Sequence, residues 1–408
     1  MGFYEEEVLN LFGGSGGSET LNVYTGRLTT KTGSTGTVSY TGLGFQPKAI
    51  IFYSANTTTE GSTATHGANM TGFTTGVGEN ASVHVGCVDG QANTDNFRIG
   101  GDTSCITIYG VTTQVVAVSA HLHSFDADGF TLDYDNVVSA IPVYYTAYGG
   151  DITAEVGKFQ QDATSGVHTQ NVSTGIANAD FVMLTSTQST AENLNVHSIL
   201  MTGVADGLGN RGVSYSRSPD NQTLSDTWRY QEDDKVLAFT DGSKSLIVTA
   251  DFGGFTAGGF DLDYTAADGI TRYIYYLTIK GGSWEVGAGI TPTGTTTEAF
   301  TTTFEPKSVQ YMTVGRVPSG IVGVNLQHYI GGTDGTTQNS IGLHSRDNVG
   351  TSVCNRFNED NELVTYMWAT SILQKCTFDS FNATDFSLTW NTNDGVAREF
   401  IWWVCGDG

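Results

Sequence analysis

The chain has 408 residues, of which 15% are charged, with 52 glycines and only 6 prolines. Its formal net charge of −24 argues against nucleic acid or an anionic membrane as partner, because both are gripped through Lys and Arg. Low charge with abundant turn formers and β-branched residues predicts an all-β protein with many tight turns, and the scarcity of Pro excludes a collagen-like or polyproline chain.

The N-terminal stretch carries apolar groups at Phe3, Tyr4, Val8, Leu9, Leu11 and Phe12, and positions 4, 8, 11 and 12 share one helical face. Residues 13–18 (GGSGGS) have the composition of a flexible linker. The stretch reads as a partner-binding docking peptide on a tether, or equally as a frayed terminus. Its acidic start (MGFYEEEVLN) is unlike a signal peptide, and no apolar run approaches the ~20 residues of a membrane span. The expectation is a soluble protein made in the cytoplasm. Five cysteines (87, 105, 354, 376, 405) form no C-x-x-C pair and no zinc spacing, which predicts free, buried thiols.

Beyond residue 21 the chain repeats itself three times. Each copy opens on a similar signal: Val23-Tyr24-Thr25-Gly26, Val156-Gly157-Lys158 and Val286-Gly287-Ala288. An apolar strand follows in each, at residues 49–53 (AIIFY), 181–184 (FVML) and 309–312 (VQYM). Copies one and three enter it through F-x-P-K at 45–48 and 304–307, where Pro occupies a position that need not donate. Met70-Thr71-Gly72 and Met201-Thr202-Gly203 come next, then Gly76-Val77-Gly78 and Gly207-Leu208-Gly209. Copy three has a different Gly-rich stretch at 331–335.

A polar triplet, D-x8-R-x3-D, is shared by all three copies: Asp89, Arg98 and Asp102; Asp220, Arg229 and Asp233; Asp347, Arg356 and Asp360. Each copy closes on an alternating strand, GFTLDY at 129–134, GFDLDY at 259–264 and DFSLTW at 385–390, then an aromatic run. A period of two is that of a strand with one buried face. A repeat of about 120–130 residues has the size of a domain with its own core. The predicted architecture is a docking peptide and linker at 1–21, then three tandem homologous β-sandwich, jelly-roll-like domains at 22–152, 153–283 and 284–408.

Each triplet reads as a structural ion pair holding a loop to the sandwich, since duplicated domains share what holds the fold. His121 and His123 share one strand face at a metal-compatible spacing, but no third ligand is near. Asp126-Ala127-Asp128-Gly129 resembles the start of a calcium loop without its closing Glu, so a polar turn explains it better. Glu232-Asp233-Asp234 and Glu359-Asp360 also read as turns. No H-E-x-x-H and no Walker loop occurs. The expectation is a non-enzymatic protein with no metal and no cofactor.

The runs FQPKAIIF at 45–52, SFDADGFTL at 124–132 and YYTAYGG at 144–150 resemble a β-rich domain of virion proteins from tailed phages and archaeal tailed viruses. The resemblance is best over residues 22–150 and thinner in the later copies. It implies a virion structural protein, partnered by other capsid or tail proteins in many copies per particle, with neither nucleic acid nor membrane as partner. The favoured function is capsid decoration or cement, or a head spike. The alternative is a receptor-binding tail fibre or tip recognising a cell-surface glycan, with Tyr275, Tyr276, Trp402 and Trp403 stacking on sugars if exposed.

Overall fold

The computed structural model describes residues 20–315 and 322–408. The six docking-peptide positions Phe3, Tyr4, Val8, Leu9, Leu11 and Phe12 lie outside the described residues. Within them the chain is all-β, with 33 strands and no helix.

The first unit contains β1 (Leu21–Thr29), β2 (Gly36–Thr41), β3 (Pro47–Ser54), β4 (Ala64–Thr65), β5 (Gly67–Gly76), β6 (Glu79–Cys87), β7 (Asn96–Gly101), β8 (Ile106–Tyr109), β9 (Val116–Asp126), β10 (Gly129–Val137) and β11 (Pro142–Gly150). One sheet runs β1-β11-β3-β5-β6-β7, and a four-stranded sheet runs β2-β10-β9-β8. The same two orders recur in a second unit, from Thr153–Gln160 to Tyr273–Lys280, and in a third, from Ser283–Ile290 to Glu399–Gly406.

Each larger sheet gains a seventh strand from a neighbouring unit. Asn195–Val196 of the second unit pairs with β7, and Gly323–Val324 of the third pairs with Trp228–Glu232 of the second. β4 of the first unit completes the exchange on Cys354–Glu359 of the third. The three seams (1–2, 2–3 and 3–1) therefore close a ring.

Residue chemistry follows the layers. In β3, Ile50 and Phe52 face Phe130 and Leu132 of the four-stranded sheet in a sandwich core. Ala49, Ile51 and Tyr53 point the other way, into a second core shared with Phe181, Trp284, Met312 and Trp403 of the other units. A strand buried on both faces must be apolar at every position, which is why AIIFY does not alternate while GFTLDY does. The second and third units have sandwich cores of their own, around Trp228 and Phe260 and around Phe357 and Trp390. Tandem domains with self-contained cores would have neither the exchanged strands nor the shared core.

Two glycine positions are dictated by contact. A Cβ on Gly72 would overlap the carbonyl of Cys105, and Gly203 and Gly331 meet Val236 and Leu363 in the same way. This settles the alignment of the third copy. Its register pairs Met312 with Ile330 as Tyr53 pairs with Thr71, so Tyr329-Ile330-Gly331 stands where the other copies have Met-Thr-Gly. Gly129 and Gly259, at φ +148° and +145°, likewise have a backbone oxygen where a side chain would go.

Candidate functional site

The repeated polar residues gather at the seams. Asp89 Oδ1 accepts the backbone N–H of Cys354 at 2.8 Å, Asp220 Oδ1 that of Asn96 at 2.8 Å, and Asp347 Oδ1 that of Thr227 at 2.6 Å. Each acceptor lies on a different unit from its donor, two residues before that unit's triplet arginine. The same aspartates donate their own N–H groups to His66 Nδ1, His197 Nδ1 and Asn325 Oδ1, at 2.8–2.9 Å. Those three residues have φ of +63°, +71° and +68°. They are the pivots at which the chain leaves a neighbour's sheet and enters its own. Desolvation lowers the pKa of both histidines, and an unprotonated Nδ1 is what the bond requires.

The arginines do not form the predicted ion pairs. Among the described residues, neither Arg98 nor Arg356 pairs with an aspartate of its triplet, and Nε and Nη1 of both are buried without a hydrogen-bond partner. Burial pushes both guanidinium pKa values down to about 10, which leaves them cationic at neutral pH. Arg229 shows the geometry that the fold favours. It donates to the carbonyls of Val324 at 2.9 Å and Gly315 at 3.3 Å, both on the third unit. Each arginine sits on the strand that receives the neighbour's two-residue crossing segment.

The last aspartates diverge. Asp102 pairs with Lys158 of the second unit at 3.0 Å, and Asp360 accepts from its neighbour Asn361. Asp233 borders a pocket described below.

Sequence reasoning missed a fourth member of the motif. Thr94, Ser225 and Ser352 stand four residues before each arginine, and their hydroxyls donate across the seams to Pro219, Arg346 and Val88 carbonyls at 2.7–2.9 Å. They also accept the N–H groups of Gln222, Val349 and Gln91 at 2.8–3.0 Å. A hydroxyl at one fixed offset in all three copies was the available signal. Other seam contacts had no shared residue type. Thr75, Asp206 and Asp334, at equivalent hairpin ends, accept N–H bonds from Val156, Val286 and Thr25 of the next unit.

One position differs between seams. In two of them a cation and a tyrosine meet a glutamate: Arg27 and Tyr144 on Glu60, and Lys158 and Tyr275 on Glu192. In seam 2–3 the register puts Ala288 opposite Ile401 at those positions. A pocket of about 250 Å³ lies there, bordered by Glu232, Asp233, Ala288, Glu399 and Ile401.

The remaining candidates are structural. Asp126 accepts from Ser124 and Thr131, and Asp128 from the N–H groups of Gly42 and Gly44, so both fix turns. His121 meets Asp135 at 3.0 Å. Among the described residues no group of three or more His, Cys, Asp or Glu is placed to hold a metal. Tyr275, Tyr276, Trp402 and Trp403 are at most 5% exposed, which removes them as a sugar-stacking platform. No family model and no curated protein matches the chain. What the seams do chemically is hold strand to strand.

Proposed function

We propose that the chain is a non-enzymatic structural protein displayed on a tailed-virus particle, as a decoration, cement or head-spike component. The observation that carries this reading is the closed ring: one chain with the form of a threefold assembly. Such a block presents three related surfaces around one axis, the shape needed to cap a threefold lattice position or to rise from it as a spike. The strongly acidic composition suits a component crowded with its own copies and with other virion proteins. The resemblance of residues 22–150 to β-rich virion domains points the same way. The carboxylate of Asp407 accepts the N–H of Leu21 at 2.9 Å, a further bond between the third unit and the first.

Labelled antibody against the ring, viewed by electron microscopy on intact particles, tests the proposal. Regularly spaced label on the head is expected. Label on the tail tip would move the function to the receptor-binding alternative, and particles without the protein would end the virion reading.

A further inference from the structure

Seam 3–1 joins units that are not consecutive in the chain, and it contains two thiols. Cys87 ends β6 and Cys354 begins the strand that receives β4; the N–H of Cys354 donates to Asp89 Oδ1, two residues beyond Cys87, at 2.8 Å, and Cys354 Sγ lies 3.3 Å from Ser345 Oγ. The counterparts in seam 1–2 are Ser218 and Asn96, whose side chains bond at 2.9 Å, so the geometry at this position aims the two side chains at each other across the seam. Gly67, opposite Cys87 in the ladder, leaves the room that the sulfur occupies, since a Cβ there would overlap it. The other three cysteines, Cys105, Cys376 and Cys405, are buried as free thiols in other parts of the fold.

We infer that Cys87 and Cys354 form a latent disulfide that closes the ring covalently once the protein meets an oxidant. With a small disulfide such as oxidised glutathione, one protein thiolate attacks the oxidant's S–S bond and expels a glutathione thiolate. The second protein thiol then attacks the mixed disulfide and expels the other. One protein S–S bond forms, the glutathione bond is reduced, and the two thiol protons end on two glutathione molecules. Both cysteines are buried, and burial raises the Cys87 pKa, so attack waits for local opening of the seam. The thiols therefore survive synthesis in a reducing compartment and pair slowly afterwards.

The test uses the full chain with oxidised glutathione, in urea raised stepwise until a small alkylating agent modifies Cys87 in a parallel sample. Non-reducing digestion and mass spectrometry should give a cross-linked 87–354 peptide, with thiols falling from five to three and returning on reduction. The oxidised protein should melt at a higher temperature. Cys354→Ser should abolish the cross-link, and Cys376→Ser should leave it intact. Five persistent thiols once Cys87 is reachable, or pairing through any other cysteine, would overturn the assignment.

Discussion

Lys307 donates to the carbonyl oxygen of Leu21 at 3.0 Å, across 286 residues of sequence. Lys48 makes the corresponding bond to Ile152 at 2.9 Å. In the second case the carbonyl belongs to the unit that follows in the chain; in the first it belongs to the unit that began it. The F-x-P-K lysine thus holds the start of the next unit whether or not the backbone connects them, and the third unit treats the first as its successor.

The seam hydroxyls should be the most costly small side chains to remove. Ser352 is buried and makes two hydrogen bonds across seam 3–1. Ser352→Ala leaves the buried carbonyl of Val88 and the part-buried N–H of Gln91 without this partner, a loss of about 1–3 kcal/mol. Urea unfolding checks this. Thr94→Ala and Ser225→Ala should cost similar amounts if the three seams are equivalent.

Gly331→Ala tests the alignment of the third copy. Its methyl would fall on the carbonyl of Leu363, so the strand must shift, and the expected destabilisation is about 2–3 kcal/mol. Gly294→Ala, at a site with open space around it, should stay within about 0.5 kcal/mol of wild type. Equal effects would mean that Gly331 is not the counterpart of Gly72.

These two cases separate what was legible in the sequence from what was not. The alternation of GFTLDY and the unbroken apolar run AIIFY report local burial directly, so strand type was readable from residue order. The triplet's spacing marks Asp89, Arg98 and their counterparts as structural, but it does not specify their partners. Carboxylate and guanidinium near each other in sequence suggest a pair, and nothing local reveals that the aspartates instead accept backbone N–H groups of another unit. Ring closure itself lies in pairings such as Arg356 with Ala64, which no local pattern encodes.

Stability should fall with acid below neutral pH. His84, His328 and His344 are fully or almost fully buried, and desolvation pushes each pKa down to about 3. An unfolded histidine titrates near 6.5, so between about pH 6.5 and 3 the unfolded chain binds protons that the folded chain refuses. Each contributes stability that is present above about pH 6.5 and lost on acidification, about 2 kcal/mol between pH 7 and 5. Asp206 and Glu362, whose pKa values burial raises, act in the opposite direction. Urea titrations at the two pH values should show the loss, and His328→Leu should reduce it by one histidine's share.

Ala288→Lys places in seam 2–3 a cation at the register position that Arg27 and Lys158 hold in the other two. The new ammonium would stand to Asp233 as Lys158 stands to Asp102, at 3.0 Å. A partly exposed ion pair contributes no more than about 1 kcal/mol, seen as a higher melting temperature that high salt diminishes.

The most direct measurement is sedimentation and thermal melting of residues 153–283 produced alone. With Phe181, Met183, Leu200 and Tyr275 deprived of the shared core, a closed ring predicts no folded monomer. A monomer that melts cooperatively, with the stability of a self-sufficient domain, would contradict the account.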